Sequence, residues 1–220
     1  TSRLHNVAVG SDGKVVSWGD NYYGQTNTPP GLSDAVAISA GVQHSMALKS
    51  DRTISSWGGN GFGQANTPPG LGNAVAVAAG DSFSLALKAD GTVVGWGYNG
   101  YGQISIPAGL NKVTAIAAGN NQSLALRADG TVVSWGAEDL PVPPDLRNVI
   151  ALEAGQDHNL VHKSDGKVVA WGSGNPFGEL DVPLGLSNVV AISAGASYSL
   201  ALKADGTLVT WGDNTYGQRD

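Results

Sequence analysis

Short apolar runs recur along the chain, separated by segments rich in glycine, proline and aspartate. The run Ala35–Gly41 alternates larger apolar residues with small or polar ones, which is the period of two of a half-buried strand. Two further runs, Ser45–Lys49 and Thr53–Trp57, follow it within the same segment. The pattern predicts three short antiparallel strands here, with an outer fourth strand at Gln64–Thr67.

The turn between the second and third runs has its own signature. Asp-Gly between two alternating runs is the strongest short signal for a β-hairpin, because glycine readily adopts a positive φ. The pairs are Asp12-Gly13, Asp90-Gly91, Asp129-Gly130, Asp165-Gly166 and Asp205-Gly206. The second copy has Asp51-Arg52 instead, and we expect backbone strain at Arg52.

The whole pattern repeats with a period near forty residues. Successive Trp-Gly pairs are separated by 39, 39, 39, 36 and 40 residues, at Trp18, Trp57, Trp96, Trp135, Trp171 and Trp211. Such a period without a helical pattern is typical of stacked repeats, and four short strands per copy describe a β-propeller blade. We therefore predict an all-β propeller, a single domain over residues 1–220 with six visible four-stranded blades. The expected blades, called units 1 to 6, are about 1–33, 34–72, 73–111, 112–147, 148–187 and 188–220.

The two ends of the chain affect the blade count. The first strand of the unit occurs in only five copies, because the segment from His5 aligns with the segment from His44. The chain also begins at Thr1 without an initiator methionine, as expected for a processed or excised product. We expect either an imperfectly closed first blade or a longer parent with seven blades.

Strand alternation assigns the loops to two faces. The loop after the first strand and the loop after Trp-Gly share one face, here called the top, while the Asp-Gly hairpins and proline-rich linkers share the bottom. We expect the six tryptophans to be blade core. The repeated aromatics before Gly-Gln or Gly-Glu are expected to pack under their own loops, at Phe62, Tyr101, Phe177 and Tyr216.

Other top-face side chains are the candidate partner-binding residues, because aromatics on loops of a rigid scaffold are typical interface anchors. The Trp-Gly loops supply Asp20, Tyr22, Tyr23, Tyr98 and Asp213, and the loops after the first strand supply His44, Phe83, His158 and Tyr198. Acidic residues also gather there, and they predict a protein partner with a basic surface. They are Asp20, Asp81, Glu138, Asp139, Asp157 and Asp213, against Arg3.

Composition narrows the functional classes. The net charge is −6, which disfavours nucleic-acid binding, and no apolar run approaches the length of a membrane span. There is no cysteine, and the histidines sit on different blades, so we expect neither a metal site nor a cofactor. Adjacent carboxylates such as Glu138-Asp139 rarely face each other, so we expect no enzyme activity.

The repeat motifs resemble those of a known family. Good copies are Ala79-Gly80 to Lys88, Asp90-Gly91 to Gly97, and Asn99 to Gln103. They are similar to the regulator-of-chromosome-condensation repeats, over essentially the whole chain. The short repeat of 39 residues is most similar to the bacterial branch of the family. That branch includes β-lactamase-inhibitory protein II, a secreted seven-bladed propeller that binds an enzyme through top-face loops. Residues 19–25 resemble one of that inhibitor's contact loops.

Three functions fit these observations. The first is a non-enzymatic protein-binding module, inhibitor-like and secreted or at the cell surface, as the resemblance implies. The second is a carbohydrate-binding lectin with sites repeated around the propeller, since exposed Tyr and Phe beside Asp and Asn can stack and hydrogen-bond sugars. The third is a structural repeat domain of a larger surface protein.

Overall fold

The computed structural model of the chain describes residues 5–137 and 140–219, and these ranges contain seventeen strands and no helix. Unit 1 holds β1 (His5–Val9) and β2 (Val15–Gly19), and unit 2 holds β3 (Ala35–Ala40), β4 (His44–Lys49) and β5 (Ile54–Gly58). Units 3 and 4 hold β6 (Ala74–Ala79), β7 (Phe83–Lys88), β8 (Val93–Gly97), β9 (Val113–Ala118), β10 (Gln122–Arg127) and β11 (Val132–Gly136). Units 5 and 6 hold β12 (Val149–Ala154), β13 (His158–Lys163), β14 (Val168–Gly172), β15 (Val189–Ala194), β16 (Tyr198–Lys203) and β17 (Leu208–Gly212).

Each unit is one antiparallel sheet, and the described residues form six of them. In units 2 to 6 the middle strand pairs with an inner and an outer strand, while the sheet of unit 1 contains only β1 and β2. Successive sheets pack face to face, with β4 against β6 and β7 against β9. The predicted all-β propeller is therefore confirmed, and so is the shorter first unit.

The predicted fourth strand is wrong, because each described blade has at most three strands. The segment Gln64–Thr67 instead begins in a turn at residues 64–65 and continues without regular structure. Its backbone groups find partners within their own loop: the Asn66 N–H donates to the Gly63 carbonyl at 3.0 Å, and the Ala65 N–H donates to Asn60 Oδ1 at 3.0 Å. Since these groups are already satisfied locally, no ladder to β5 is needed.

The Asp-Gly hairpins have the predicted geometry. The hairpin glycines Gly13, Gly91, Gly130, Gly166 and Gly206 have φ between 76° and 84°. Arg52 takes the same left-handed conformation with φ 65°, which confirms the expected strain. At this turn Asp51 Oδ1 accepts the Thr53 N–H at 2.9 Å, which holds the loop despite the missing glycine.

The core lies between the sheets, where Met46, Leu85, Leu124 and Leu160 are fully buried. Five tryptophans are only 4–8% exposed, as predicted, but Trp18 is 52% exposed. Each buried tryptophan packs against the preceding unit, as Trp96 does against Met46. Trp18 belongs to the first unit and has no such neighbour within the described residues, so the prediction was wrong for this position.

The sequence predicts no membrane span. None of the described elements is a helix with the length and apolarity that crossing a bilayer requires.

Candidate functional site

A backbone carbonyl from the preceding loop closes each regular junction between units. The indole Nε1–H of Trp96 and the hydroxyl of Ser84 both donate to the Gln64 carbonyl, each at 2.9 Å. The same pair of bonds recurs at three more junctions, to the carbonyls of Gln25, Gln103 and Glu179. Because the carbonyl belongs to a Trp-Gly loop, these bonds fix the top-face loops relative to the next blade.

The Trp-Gly loop is also braced from inside. In unit 2, Gln64 is buried and its Oε1 accepts the Phe62 N–H at 3.0 Å. The Asn60 amide donates to Asn66 Oδ1 at 2.8 Å across the loop. Since Gln64 occupies the space beneath the loop, the neighbouring ring is displaced into solvent. The repeated aromatics are accordingly more than half exposed, which corrects the expectation that they pack under their loops: Phe62, Tyr101, Phe177 and Tyr216.

Three aromatic rings from units 2 and 3 form a continuous surface, here called the aromatic cluster. The centroid of Tyr98 lies 4.8 Å from that of Phe62 and 6.2 Å from that of Tyr101. Phe62 is 57% exposed and Tyr101 56%, with the half-buried Tyr98 between them. The Tyr98 ring lies over Gly100, where a Cβ would overlap it. The cluster combines exposed apolar area with restricted ring positions.

Unit 1 presents a second aromatic pair. The rings of Tyr22 and Tyr23 meet edge to face with centroids 4.9 Å apart, and Tyr22 is 83% exposed. Asp20 organises this loop, because its carboxylate accepts the Gln25 amide at 2.9 Å and the Tyr22 N–H at 3.2 Å. Two of the predicted residues are therefore exposed rings, and the third is an exposed carboxylate that shapes their loop.

Asp213 has the equivalent role in unit 6. Its carboxylate accepts the Thr215 N–H at 2.9 Å and the Gln218 amide at 2.8 Å. Hydrogen bonds from the hydroxyl and then the N–H of Thr215 hold the pKa of Asp213 below its usual value. The side chain stays ionised and contributes negative charge to the top face.

Three predicted residues are not accessible. His44, Phe83 and His158 each begin a middle strand and are at most 1% exposed. Their rings fold against the glycine that ends the preceding Ala-Gly motif: a Cβ on Gly80 or Gly155 would overlap Phe83 or His158. The expectation that they point from the top face was wrong, because the missing Cβ of that glycine creates a pocket for the ring. Tyr198 has the same position over Gly195 but is half-buried.

The buried histidines join adjacent units. The Nε2 atoms of His5 and His44 lie 2.9 Å from the hydroxyls of Ser45 and Ser84, and the pair His158 and Ser199 is 3.0 Å apart. Burial, and secondarily the charge of His5, lowers the pKa of His44 to about 4. Within residues 5–137 and 140–219, no three His, Asp or Glu side chains come together as a metal site.

The junction between units 4 and 5 differs from the others. The Gln122 amide donates to Ser134 Oγ at 2.7 Å and to the Leu140 carbonyl at 3.2 Å. Gln122 Oε1 accepts the Asn159 amide at 2.9 Å. Two buried atoms, Trp171 Nε1 and Asn159 Oδ1, have no hydrogen-bond partner in the described part of the chain. Gln122 occupies the position that His44 and Phe83 have in units 2 and 3. Asn159 occupies the position of the serines that donate to the loop carbonyl at the other junctions.

A cavity of about 570 Å³ opens on the top face at this unit. Its wall includes Tyr101 of unit 3, and the other polar lining comes from Asn121, Gln122, Gln156, Asp157 and Ser173. The sequence prediction did not select these residues, although the 36-residue spacing was a signal that the loop of unit 4 is shorter. Two residues of the predicted acidic set, Glu138 and Asp139, lie outside the described residues, and so does the basic Arg3.

Comparisons with solved structures support the propeller. Prp20p of Saccharomyces cerevisiae, studied for its binding to Gsp1p and histones, has a TM-score of 0.80 at 22% identity, covering 95% of this chain and 70% of that one. The same yeast protein bound to Kap60 gives 0.80 at 20% identity, covering 96% and 68%. The ectodomain of the Physcomitrella patens receptor kinase CR4 gives 0.77 at 25% identity, covering 96% and 59%.

Sequence comparison places the repeats in a family. A comparison with curated protein sequences found no match. The family model described as the regulator of chromosome condensation (RCC1) repeat matches residues 2–25, 35–64, 74–103, 113–139 and 189–218. These ranges cover more than half of the chain and follow the Trp-Gly period. The chain therefore belongs to the RCC1 repeat family.

Proposed function

We propose that this protein is a non-enzymatic binding module that holds a partner protein on its top face. The observation that carries the proposal is the aromatic cluster, whose rings contact each other across two units and expose more than half of Phe62 and Tyr101. Aromatic side chains bury a large area while losing few rotamers, so they are frequent interface anchors. The braced loops beneath them reduce the cost of ordering the site.

Family members bind proteins, which supports the same general role here. Yeast Prp20p has been studied with Gsp1p and histones, and a crystal structure holds it bound to Kap60. Those partners belong to the yeast protein. Our proposal extends only the use of the propeller as a protein-binding surface.

We propose further that the partner has a basic surface. The top-face loops carry Asp20, Asp81, Asp157 and Asp213, while Arg219 is the one cationic residue in their described part. Such a charge imbalance speeds encounter with a basic surface and disfavours an acidic one. Binding should therefore weaken as the ionic strength rises.

The resemblance to the bacterial short-repeat branch supports an inhibitor-like role in a secreted or cell-surface setting. A lectin with one site in every blade has less support, because the loops offer different chemistry: Asp20 and Tyr22 in unit 1 correspond to Gly59 and Gly61 in unit 2. A repeat lectin would present the same side chains in each copy.

The test compares three immobilised proteins for retention of secreted and cell-surface proteins from the source. They are the wild type, the double variant Tyr22→Ala/Phe62→Ala, and Leu184→Ala, which removes an exposed apolar side chain from a bottom linker. We expect a salt-sensitive partner that the wild type and Leu184→Ala retain and the double variant loses at least tenfold. Equal retention by all three, or no specific partner at all, would show that the top face has a different role.

A further inference from the structure

We propose that Asn60 is the favoured site of spontaneous deamidation in the folded chain, because the glycine that follows it is uncovered. Asn60-Gly61 and Asn99-Gly100 are the two Asn-Gly pairs in the sequence, at equivalent positions in the Trp-Gly loops of units 2 and 3. An asparagine followed by glycine reacts readily, since glycine has no Cβ to hinder attack by its own backbone nitrogen. This modification does not depend on the proposed protein-binding function.

The reaction consumes only water and releases ammonia. The Gly61 nitrogen loses its proton and attacks Cγ of Asn60, so that a new C–N bond forms. The bond from Cγ to Nδ2 breaks, and the departing nitrogen takes up a proton and leaves as ammonia. Water then hydrolyses one of the two C–N bonds of the resulting succinimide ring. Cleavage at Cγ gives aspartate, and cleavage at the main-chain carbonyl carbon gives isoaspartate.

The loop of unit 2 assists the attack on Asn60. Its Oδ1 accepts the Ala65 N–H at 3.0 Å, and negative charge develops on this oxygen when Cγ is attacked. A donor already aimed at a developing negative charge stabilises it. Asn99 receives the same assistance from the Ile104 N–H at 3.0 Å, and both asparagines are exposed to water. Neither the hydrogen bond nor access of water therefore distinguishes the two pairs.

The cover over the glycine is what differs. Apart from its chain neighbours, a Cβ on Gly61 would meet no atom within 4 Å, whereas a Cβ on Gly100 would overlap the ring of Tyr98. Unit 2 has Gly59 at the position of Tyr98, so its loop carries no ring there. The peptide unit must rotate to bring the glycine nitrogen to Cγ, and a ring packed on the glycine restricts that rotation. We therefore expect the pair in unit 2 to react faster than the pair in unit 3.

Unit 1 provides an internal reference with the same cross-loop bond. Asn21 Nδ2 donates to Asn27 Oδ1 at 2.8 Å. Asn21 is followed by Tyr22, whose own Cβ hinders attack and whose N–H donates to Asp20 Oδ1 at 3.2 Å. The Gly61 N–H, in contrast, donates to no group in the described part of the chain. Asn21 should therefore be the slowest of the three.

Deamidation would change the surface that carries Phe62. Both products place a negative charge two residues before this ring. With aspartate the main chain is unchanged, and the Asn66 carboxamide can rotate to donate to the new carboxylate. Isoaspartate adds a methylene group to the main chain, in the loop whose Gln64 carbonyl closes the junction with unit 3. We therefore expect the isoaspartate product to weaken this junction.

The experiment is peptide mapping by mass spectrometry during incubation of the purified chain in mildly alkaline buffer, with electron-transfer fragmentation to separate aspartate from isoaspartate. Gly61→Ala hinders the attack with a methyl group for which there is space. Tyr98→Ala uncovers Gly100. Its matched control is Phe62→Ala, which removes the ring in contact with Tyr98 but leaves Gly100 covered. Ser105→Asn gives unit 3 the cross-loop partner that unit 2 has.

We expect deamidation of Asn60 to be at least fivefold faster than that of Asn99, with Asn21 slower than both. Gly61→Ala should slow the reaction at position 60 at least fivefold. In the urea-unfolded chain the ring no longer covers its glycine, so the two Asn-Gly pairs should react at similar rates. Equal rates in the folded chain, or a fivefold difference that persists in urea, would overturn the proposal.

The variants of unit 3 test the cause of the difference. Tyr98→Ala should bring Asn99 to within twofold of the rate at the uncovered site, whereas Phe62→Ala and Ser105→Asn should leave Asn99 unchanged. Thermal unfolding of each variant checks that it is folded. An unchanged rate at Asn99 in folded Tyr98→Ala, or acceleration by Ser105→Asn alone, would contradict the role of the ring.

A second arm measures the consequence for stability. Asn60→Asp supplies the charge of the aspartate product with an unaltered main chain, so its urea midpoint should match that of fresh wild type. Aged wild type enriched in isoaspartate should unfold at a lower urea concentration, and aged Gly61→Ala should not. Equal midpoints for all of these samples would show that the modification leaves the junction intact. No partner protein is needed, so this result and the proposed function can fail independently.

Discussion

Two junctions between neighbouring units differ in the hydrogen bonds of their buried polar groups. Between units 2 and 3, the Gln64 carbonyl accepts both Trp96 and Ser84, and the junction is closed. Between units 4 and 5, the indole of Trp171 has no partner in the described residues, and Gln122 and Asn159 bond to each other instead. A cavity lies beside the second junction, in the unit whose Trp-Gly interval is 36 residues instead of 39 or 40.

The difference teaches that the long Trp-Gly loop has two roles. It supplies the carbonyl that joins its blade to the next one, and it presents an exposed aromatic ring. The regular loops are therefore structural parts whose exposed rings remain available for binding. Around the cavity, Asn121 and Gln156 are half-buried and Asp157 is exposed, so amide and carboxylate groups form the surface there.

The largest expected effect comes from the first residue of the middle strand. Phe83→Ala should destabilise the protein by about 3–5 kcal/mol, because it leaves a cavity in a fully packed junction. Gln122→Ala at the other junction should cost only about 1–3 kcal/mol, mainly from leaving the Asn159 amide unpaired. Urea unfolding of both variants gives the comparison, and a cost for Gln122→Ala that equals or exceeds that of Phe83→Ala would contradict it.

A smaller effect should appear with pH at the junction of units 2 and 3. Burial lowers the pKa of His44 to about 4, so the unfolded chain binds more protons between about pH 6.5 and pH 4. Stability due to neutral His44 is present above this range and lost as the pH falls through it, by at most about 3 kcal/mol. His44→Gln introduces the residue that unit 4 carries there, and it should flatten this acid dependence.

The measurement for His44→Gln is the free energy of unfolding in urea from pH 7 to pH 4. Burial also lowers the pKa of His5, so a residual slope of the same sign should remain in the variant. An unchanged slope would show that His44 is not the group that loses stability on protonation.

Much of the fold could be predicted because its signals are local. The Asp-Gly pairs, the alternating runs and the Trp-Gly period each depend on a few neighbouring residues, and the hairpins and six sheets agree with them. The outer strand was mispredicted because Asn60 and Gln64 satisfy the backbone of their loop with side-chain hydrogen bonds. Those bonds depend on the folded loop and not on residue pattern alone.

The candidate site was harder to predict because exposure depends on neighbouring strands. His44 lies three residues after Gly41 and Phe62 directly after Gly61, yet His44 is buried against Gly41 while Phe62 is exposed beside the buried Gln64. The cavity beside Gln122 lies in the unit whose Trp-Gly interval is 36 residues, shorter than the others. A repeat pattern indicates which residues recur, but it does not show what fills the space where one copy is shorter.

The indole bond itself can be measured with paired substitutions. Trp96→Phe removes a donor from a satisfied carbonyl, whereas Trp171→Phe removes a buried N–H that has no partner in the described structure. Both changes reduce the ring by a similar amount. Trp96→Phe should therefore cost about 1–1.5 kcal/mol more than Trp171→Phe, as measured by urea unfolding at pH 7. Equal costs would mean that the carbonyl bond does not stabilise the regular junction.

The smallest expected effect comes from a loop graft. It gives the junction of units 4 and 5 the loop found at the junction of units 3 and 4, so it tests the comparison most directly. Replacing residues 137–139 with residues 98–103 gives unit 4 the loop length of unit 3, including Gln103, whose carbonyl accepts the indole of Trp135. In this background Trp171→Phe should become as costly as Trp96→Phe, a coupling of about 1 kcal/mol in a double-mutant cycle. A coupling near zero in a folded graft would show that the loop after Trp135 does not control the bonding of the Trp171 indole.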